Sequence, residues 1–219
     1  MSRPLWFRPD YGGWDPYLYE AFFRIPLCGA LRAREESTIY DFLGNVLERG
    51  HCVLEVGCGT GNYTVPVARR CARTVAVDAS PKMLRYARKR LDREGLSGVE
   101  TRLERLSSGP GLGQGFDGFD EALAIGVLNY IRDIEGALRT MISSLKPGGW
   151  TIFNVPARSV EGRIYALAEF ANRRRIYLYS LPEIVGLGKK IGLRIDTAVA
   201  AGLSRGGITV VVGATKQAS

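Results

Sequence analysis

The spacing of apolar positions changes near residue 50. From about Tyr17 to Leu47 they recur at helical intervals, which predicts helix with one break at Pro26 and another near Gly29. Ahead of that stretch, Tyr11-Gly12-Gly13-Trp14-Asp15-Pro16 is turn chemistry. Beyond residue 50, short apolar runs alternate with longer amphipathic ones. Strands are expected at 52–56, 74–77, 99–103, 122–125, 150–155, 194–199 and 208–213. Helices are expected at 62–71, 81–93, 134–145, from 159 to about 170, and at 180–191. Pro66 must sit in the first turn of its helix or bend it.

Several ends carry their own signals. Ser80 is placed as an N-cap, Pro81 takes the first helical position and Gly95 follows the last turn. Ser180 stands three residues before Glu183, the spacing of a capping box. Pro147-Gly148-Gly149 closes the 134–145 helix, and residues 107–118 are rich in Gly, Ser and Pro, so they form a loop. Strands alternating with helices of about 10–15 residues imply βαβ units, right-handed crossovers and a parallel sheet.

Composition then limits the classes. The chain has 219 residues, 46 % hydrophobic and 24 % charged, enough for one α/β domain with additions and a core needing no disulfide or metal. Cys28, Cys52, Cys58 and Cys71 form no CxxC pair, and His51 is the single histidine. Zinc-ligand spacing is absent, no metal is expected, and the cysteine usage points to a reducing, cytoplasmic protein. Neither a secretory leader at Met1-Ser2-Arg3-Pro4-Leu5-Trp6 nor an apolar run of about 20 residues is present, so no membrane span is expected.

The net charge is +8 but uneven. Residues 151–219 carry ten basic and four acidic residues, including the run Arg173-Arg174-Arg175 followed by Tyr177 and Tyr179. A basic face of this kind suits a phosphate, nucleic acid or an anionic lipid surface, or is a solvated surface.

The candidate chemistry lies at the first strand-to-helix junction, Val53-Leu54-Glu55-Val56-Gly57-Cys58-Gly59-Thr60-Gly61. Three glycines let the backbone turn sharply and approach a ligand, and the next helix presents free N–H groups. The spacing is GxGxG, with Glu55 two residues before the first glycine. A carboxylate there suits an ammonium better than a pyrophosphate. Asp78 closes the second strand, where a carboxylate can take both hydroxyls of a ribose. The implied ligand has a ribose and an amine. Cys58 has no base near it in sequence and reads as packing rather than a nucleophile. His51 lies at the opposite end of the first strand from this loop.

These segments resemble class I S-adenosylmethionine-dependent methyltransferases, of the type 11/25-like small-molecule group. Glu55 to Gly61 is similar to the first family motif, and Val75-Ala76-Val77-Asp78-Ala79-Ser80-Pro81-Lys82-Met83-Leu84 to the next. Phe116-Asp117-Gly118-Phe119-Asp120 through Ala124-Ile125-Gly126-Val127-Leu128 resembles the fourth-strand motif, and Leu145-Lys146-Pro147-Gly148-Gly149 the turn before the fifth strand. The resemblance covers residues 52–155.

It implies a Rossmann-like doubly wound α/β sheet, mostly parallel, of seven strands with an antiparallel last strand. An N-terminal helical cap over 1–50 and a helical insertion at about 157–180 are expected additions to a domain at 51–219. S-adenosylmethionine is the implied cofactor and S-adenosylhomocysteine its product. Glu55, Gly57, Cys58, Gly59, Thr60 and Gly61 match the loop under the methionine part, with Asp78 at the ribose and Ala79 and Met83 flanking the adenine. Gly126 and Val127 match the fourth strand tip. The family often has Gly-Asp after the third strand. Here Arg102-Leu103-Glu104-Arg105 stands there, which leaves Glu104 as the acid for the adenine amino group.

Tyr11, Trp14, Tyr17 and Tyr19 form a candidate lid, and Tyr11, Trp14, Tyr19, Asn129 and Tyr130 are the candidate acceptor contacts. Tyr130 is also the candidate base, though no outstanding base is visible. The acceptor is expected to be a small molecule or lipid-like, with peripheral membrane contact left open. An RNA-directed methyltransferase is the alternative that the basic charge keeps. However, Asn129-Tyr130-Ile131-Arg132 replaces the Asn/Asp-Pro-Pro-aromatic stretch of base-amino methylation, so nucleic acid is not expected. A non-catalytic S-adenosylmethionine-binding module and an NAD-dependent oxidoreductase are the other readings.

Overall fold

The computed structural model describes residues 15–22, 24, 26–106, 112, 115–171, 174–202 and 206–217. Tyr11 and Trp14 lie outside the described residues, as do the side chain of Tyr19 and residue Arg173. Two helices, α1 (Pro16–Phe22) and α2 (Pro26–Val46), precede the sheet. Pro26 opens α2, as its missing N–H allows at a first turn, but α2 runs through Gly29 without the expected break.

The parallel part of the sheet contains β1 (Cys52–Val56), β2 (Arg73–Asp78), β3 (Glu100–Leu103), β4 (Phe119–Ala124) and β5 (Leu145–Pro156). After it come β6 (Leu193–Ala201) and β7 (Thr209–Lys216). The strand order is β3-β2-β1-β4-β5-β7-β6, and β7 runs antiparallel to both neighbours. This is the expected Rossmann-like, mostly parallel seven-stranded sheet with its antiparallel last strand. Chain order reverses between β1 and β4, which opens a crevice at their carboxyl ends.

The period-2 alternation of β1 decides what each face buries. Leu54 and Val56 join Val75, Val77, Phe153 and Val155 beneath α5 (Ile134–Ser143), which contributes Leu138 and Met141, and α7 (Leu181–Ile191), which contributes Ile184. Val53 turns the other way, to Ile39 and Leu43 of α2, Leu47 just after it, and Val67 of α3 (Thr64–Ala68). Both faces are covered, as a parallel sheet requires.

α4 (Pro81–Arg93) starts as its sequence predicts, with the Ser80 hydroxyl accepting from the Met83 N–H at 3.4 Å. α7 starts with the Glu183 carboxylate accepting from the Ser180 N–H and hydroxyl, both at 2.7 Å. One boundary moves. The Pro147-Gly148-Gly149 stretch lies inside β5, which begins at Leu145 opposite Phe119. Gly148 takes φ +78°, and the register shifts between Phe119 and Glu121, so the turn residues form a bulge rather than a break.

α6 (Val160–Ala171) follows β5. The segment that contains it is closed at its base by Arg158 N–H to Tyr179 O at 2.8 Å and Tyr179 N–H to Pro156 O at 2.9 Å. Among the described residues no helix is long and apolar enough to cross a membrane.

Candidate functional site

The crevice starts with the glycine loop after β1. Gly57, Gly59 and Gly61 all have positive φ, at 74°, 54° and 79°. At Gly57 the reason is contact as well as conformation, since a Cβ there would lie 2.7 Å from the Cβ of Val127. At Gly59 a Cβ would meet nothing within 4 Å, and the same holds at Gly126, which has φ +72° at the tip of β4. Bare backbone therefore faces open ground at both tips.

The loop is tied to β2 by the N–H groups of Gly57 and Cys58, which both donate to Val77 O, at 2.8 and 3.0 Å. Asp78 then bridges two turns. Its Oδ2 accepts from the Gly59 N–H at 2.9 Å and its Oδ1 from the Ser80 N–H at 2.7 Å. Burial raises its pKa, against these two hydrogen bonds.

Glu55 is 2 % exposed and accepts from the Thr64 hydroxyl, the first residue of α3, at 2.5 Å. Burial pushes it up to about 8, with the Thr64 bond opposing and the nearby Asp78 charge adding. At neutral pH the side chain is mostly a neutral acid that an approaching cation would ionise. Two carboxyl groups at adjacent strand tips, flanked by positive-φ glycines, suit a ligand with an ammonium at one end and a vicinal diol further along.

The neighbouring positions complete that wall. Met83 is buried on the first turn of α4, Ala79 is half-buried, and the Glu104 N–H donates to Asp78 O at 3.1 Å, which places Glu104 beside the tip of β2. Burial raises the Cys58 thiol well above its ordinary range, with Glu55 and Asp78 adding to it, so it is a poor nucleophile. α1 lies across the loop. The Thr60 hydroxyl donates to Glu20 at 2.6 Å, Arg90 pairs with Glu20 at 3.6 Å, and the Tyr17 ring meets Tyr86 of α4 edge-on at 5.3 Å.

A second polar cluster lies over β4 and β5. The Gly126 N–H donates to Asn154 Oδ1 at 2.7 Å, and Asn154 Nδ2 donates to Glu35 of α2 at 2.6 Å, where the Thr209 hydroxyl also donates at 2.7 Å. Beyond Gly126, the short 3-10 turn Leu128–Tyr130 carries Asn129 and Tyr130 beneath α6. Asn129 Nδ2 donates to the Tyr165 hydroxyl at 3.4 Å, and the Tyr130 hydroxyl to Glu169 at 3.3 Å. Glu169 also pairs with Arg174 at 2.6 Å. Burial carries the Tyr165 phenol well above its usual value, with the Tyr130 and Glu169 charges adding. Asn129 is 4 % exposed, and its Oδ1 has no hydrogen-bond partner. An amide oxygen left so is short of a donor, which a ligand hydroxyl or N–H can supply.

Glu55 to Gly61, Asp78, Ala79, Met83, Glu104, Gly126 and Val127 thus gather at one edge of the sheet, with Asn129 and Tyr130 beside them. His51 sits at the opposite edge, its Nδ1 2.6 Å from Glu121 Oε1. Sequence reasoning missed Glu20, Glu35, Asn154, Tyr165 and Glu169. Asn154 left one legible trace, a polar residue in an otherwise apolar strand. The others carry no local signal. Among the described residues no cluster of three or more His, Cys, Asp or Glu side chains is arranged to hold a metal.

Residues 54–151 match a methyltransferase domain family. Over 115 residues the chain is 30 % identical to the ubiquinone biosynthesis O-methyltransferase of Methylocella silvestris, covering 52 % of this chain and 43 % of that protein. It is 35 % identical over 142 residues to the demethylmenaquinone methyltransferase of Tropheryma whipplei, covering 63 % and 53 %. The chain therefore spans about half the length of the curated relatives it matches. In three dimensions it is similar to the magnesium protoporphyrin IX methyltransferase from Synechocystis PCC 6803 with bound SAH. The TM-score is 0.66 at 16 % identity, over 86 % of this chain and 84 % of that one.

Proposed function

We propose that this chain is a class I S-adenosylmethionine-dependent methyltransferase that moves the sulfonium methyl of that cofactor to a small-molecule acceptor; the match of residues 54–151 to a methyltransferase domain family and the strand order support this reading. The carrying observation is the pairing of Asp78, held by the Gly59 and Ser80 N–H groups, with the buried Glu55 one strand away. Their chemistry fits the two polar ends of an adenosyl amino acid, and the open backbone at Gly59 and Gly126 leaves room for it.

In this reading Glu55 takes the ammonium, the loop Gly57, Cys58, Gly59, Thr60 and Gly61 lies under the methionine part, and Asp78 takes the ribose hydroxyls. Ala79, Met83 and Glu104 border the adenine, and Gly126 with Val127 borders the methionine part from the β4 side. When bound, the cofactor supplies an electrophilic methyl group. The chain supplies position: an acceptor atom must be held about 3 Å from that carbon and in line with the bond to sulfur. Asn129 Oδ1, lacking a donor, orients an acceptor hydroxyl or amine. Tyr130 is the candidate group to receive its proton, with Glu169 as the next acceptor at 3.3 Å. The helices α1, α2 and α6 act as covers that keep water from the sulfonium. The names of the relatives, a ubiquinone biosynthesis O-methyltransferase and a demethylmenaquinone methyltransferase, favour a flat, largely apolar, quinone-like acceptor.

Thermal-shift titration tests the cofactor. S-adenosylhomocysteine is expected to stabilise the chain and NAD to leave it unchanged, and stabilisation by NAD alone would sink the proposal. Asp78→Ala should weaken S-adenosylhomocysteine binding by about 10- to 100-fold, the loss of one or two hydrogen bonds to a charged group. Transfer of radiolabelled methyl from S-adenosylmethionine into a metabolite extract separates an enzyme from a mere binding module.

A further inference from the structure

α6 is turned inside out. Viewed down its axis, Glu161, Tyr165, Glu169 and Gly162 form its inward side; Gly162 and Glu169 are buried and Tyr165 and Glu161 half-buried. The outward side carries Val160, Ile164, Leu167 and Phe170, which are 75, 64, 69 and 59 % exposed. Their spacing of three and four residues sets them in one stripe. A helix lying on its own domain normally shows the reverse, with apolar residues in and polar residues out. Here the polar residues face inward because they complete the cluster around Tyr130 and Asn129. The apolar residues have no counterpart within the described residues and form a stripe larger than isolated exposed side chains make.

The charge around the stripe selects what can cover it. The acids of α6 point inward, and Glu169 is paired with Arg174. Glu183 at the base of the segment is paired with Arg158. On the outward side Arg163 is exposed within the stripe, and Arg175, also exposed, follows the helix. Arg163 makes the charge within the stripe cationic, and the guanidinium of Arg175 lies over the Tyr177 ring just beyond the helix, in the third of the chain that holds ten basic and four acidic residues. A second copy would bring like charges together across the stripe. An anionic bilayer offers both what the stripe lacks and what the arginines attract, a hydrocarbon boundary beneath negative headgroups.

We infer that α6 lies flat on an anionic lipid surface, with Val160, Ile164, Leu167 and Phe170 in the acyl boundary and Arg163 and Arg175 at the headgroups. The contact is peripheral, since no described helix can span the bilayer. It places the inner side of the same helix, with Tyr165 and Glu169, one helix diameter from the lipid, about 10 Å. An apolar molecule leaving the membrane would reach the cluster without crossing bulk water. The inference concerns where the protein sits and stands apart from the identity of the cofactor.

Co-sedimentation of the full chain with vesicles tests it, using phosphatidylcholine alone and phosphatidylcholine with 30 % phosphatidylglycerol. The chain is expected to pellet with the anionic vesicles and to leave them as salt is raised. The double variant Ile164→Glu with Leu167→Glu should lower the partition coefficient by at least about tenfold, because each side chain loses an apolar transfer and gains a charge. Arg163→Glu with Arg175→Glu should lose the dependence on phosphatidylglycerol. Both variants change exposed residues, so their melting curves and their stabilisation by S-adenosylhomocysteine should match the parent, which separates this inference from the cofactor reading. Equal recovery of parent and Ile164→Glu/Leu167→Glu variant in the pellet would overturn it. So would a concentration-dependent dimer in sedimentation velocity that the same variant abolishes, since the stripe would then be covered by a second copy.

Discussion

Single residues at the β1 tip carry opposing demands. Glu55 is buried where the proposed cofactor would place its ammonium, and burial holds its pKa near 8 against a usual value of 4.5. Its contribution to stability is therefore complete below about pH 4.5, declines as the unfolded chain ionises, and is gone above about pH 8. Glu121, pushed up to about 7 by burial, acts in the same direction. The ligand-free protein should lose melting temperature steadily from pH 5 to 8.5, while Glu55→Gln keeps the smaller loss that Glu121 and Asp78, both raised by burial, cause. S-adenosylhomocysteine affinity should rise over that range in the parent and stay flat in the variant, readable by calorimetry as proton release.

Gly57 is a second such residue, with φ +74° and Val127 2.7 Å from any Cβ. Gly57→Ala should cost about 2–4 kcal/mol in urea unfolding, the sum of left-handed strain and overpacking. Adding Val127→Ala should recover the packing part and leave the strain.

At the scale of elements, the site is made by helices that arrive from outside the sheet. α1 is only seven residues long, too short to stand alone in water, so its position depends on what it touches. Glu20 supplies two of those contacts, to the Thr60 hydroxyl and to Arg90. The Arg90 pair is partly exposed and worth little, whereas Thr60 is buried and needs its acceptor. Glu20→Ala should thus speed amide exchange across 16–22 and weaken S-adenosylhomocysteine several-fold, with KM for the methyl donor rising more than kcat falls. An unchanged exchange pattern would mean that α1 is held by packing alone. α6 obeys the same logic from the other side, because its inward polar face is useful only while the 3-10 turn below it presents Asn129 and Tyr130.

Across the whole molecule, one side chain ties the layers together. Asn154 of β5 accepts from Gly126 beyond β4 and donates to Glu35 of α2, which also holds Thr209 of β7. Asn154→Leu strands the Gly126 N–H and takes one donor from Glu35, and should cost about 2–4 kcal/mol in chemical denaturation. Asn154→Asp keeps the shape and sets two carboxyl groups in contact, so its penalty should be larger at pH 8 than at pH 5.

Distance along the chain explains what could be read beforehand. Glu55 and the glycines of the loop follow one another within seven positions, and Asp78 ends the next strand. A strand that stops at the sheet edge delivers its last residues to the crevice whatever else surrounds them. The alternation of strand and helix, the parallel sheet and this half of the site are therefore properties of local sequence. Glu35 meets Asn154 across 119 positions and Thr209 across 174, and no local pattern encodes such meetings. The periodicity of α6 likewise specified two faces but not which one turns inward. That choice rests on the buried polar groups waiting at Asn129 and Tyr130. The sequence by itself determined the sheet and the acids at its edge, because both follow from backbone periodicity. Only the tertiary structure decided the covering helices and the cluster beneath them, because those follow from packing between distant segments.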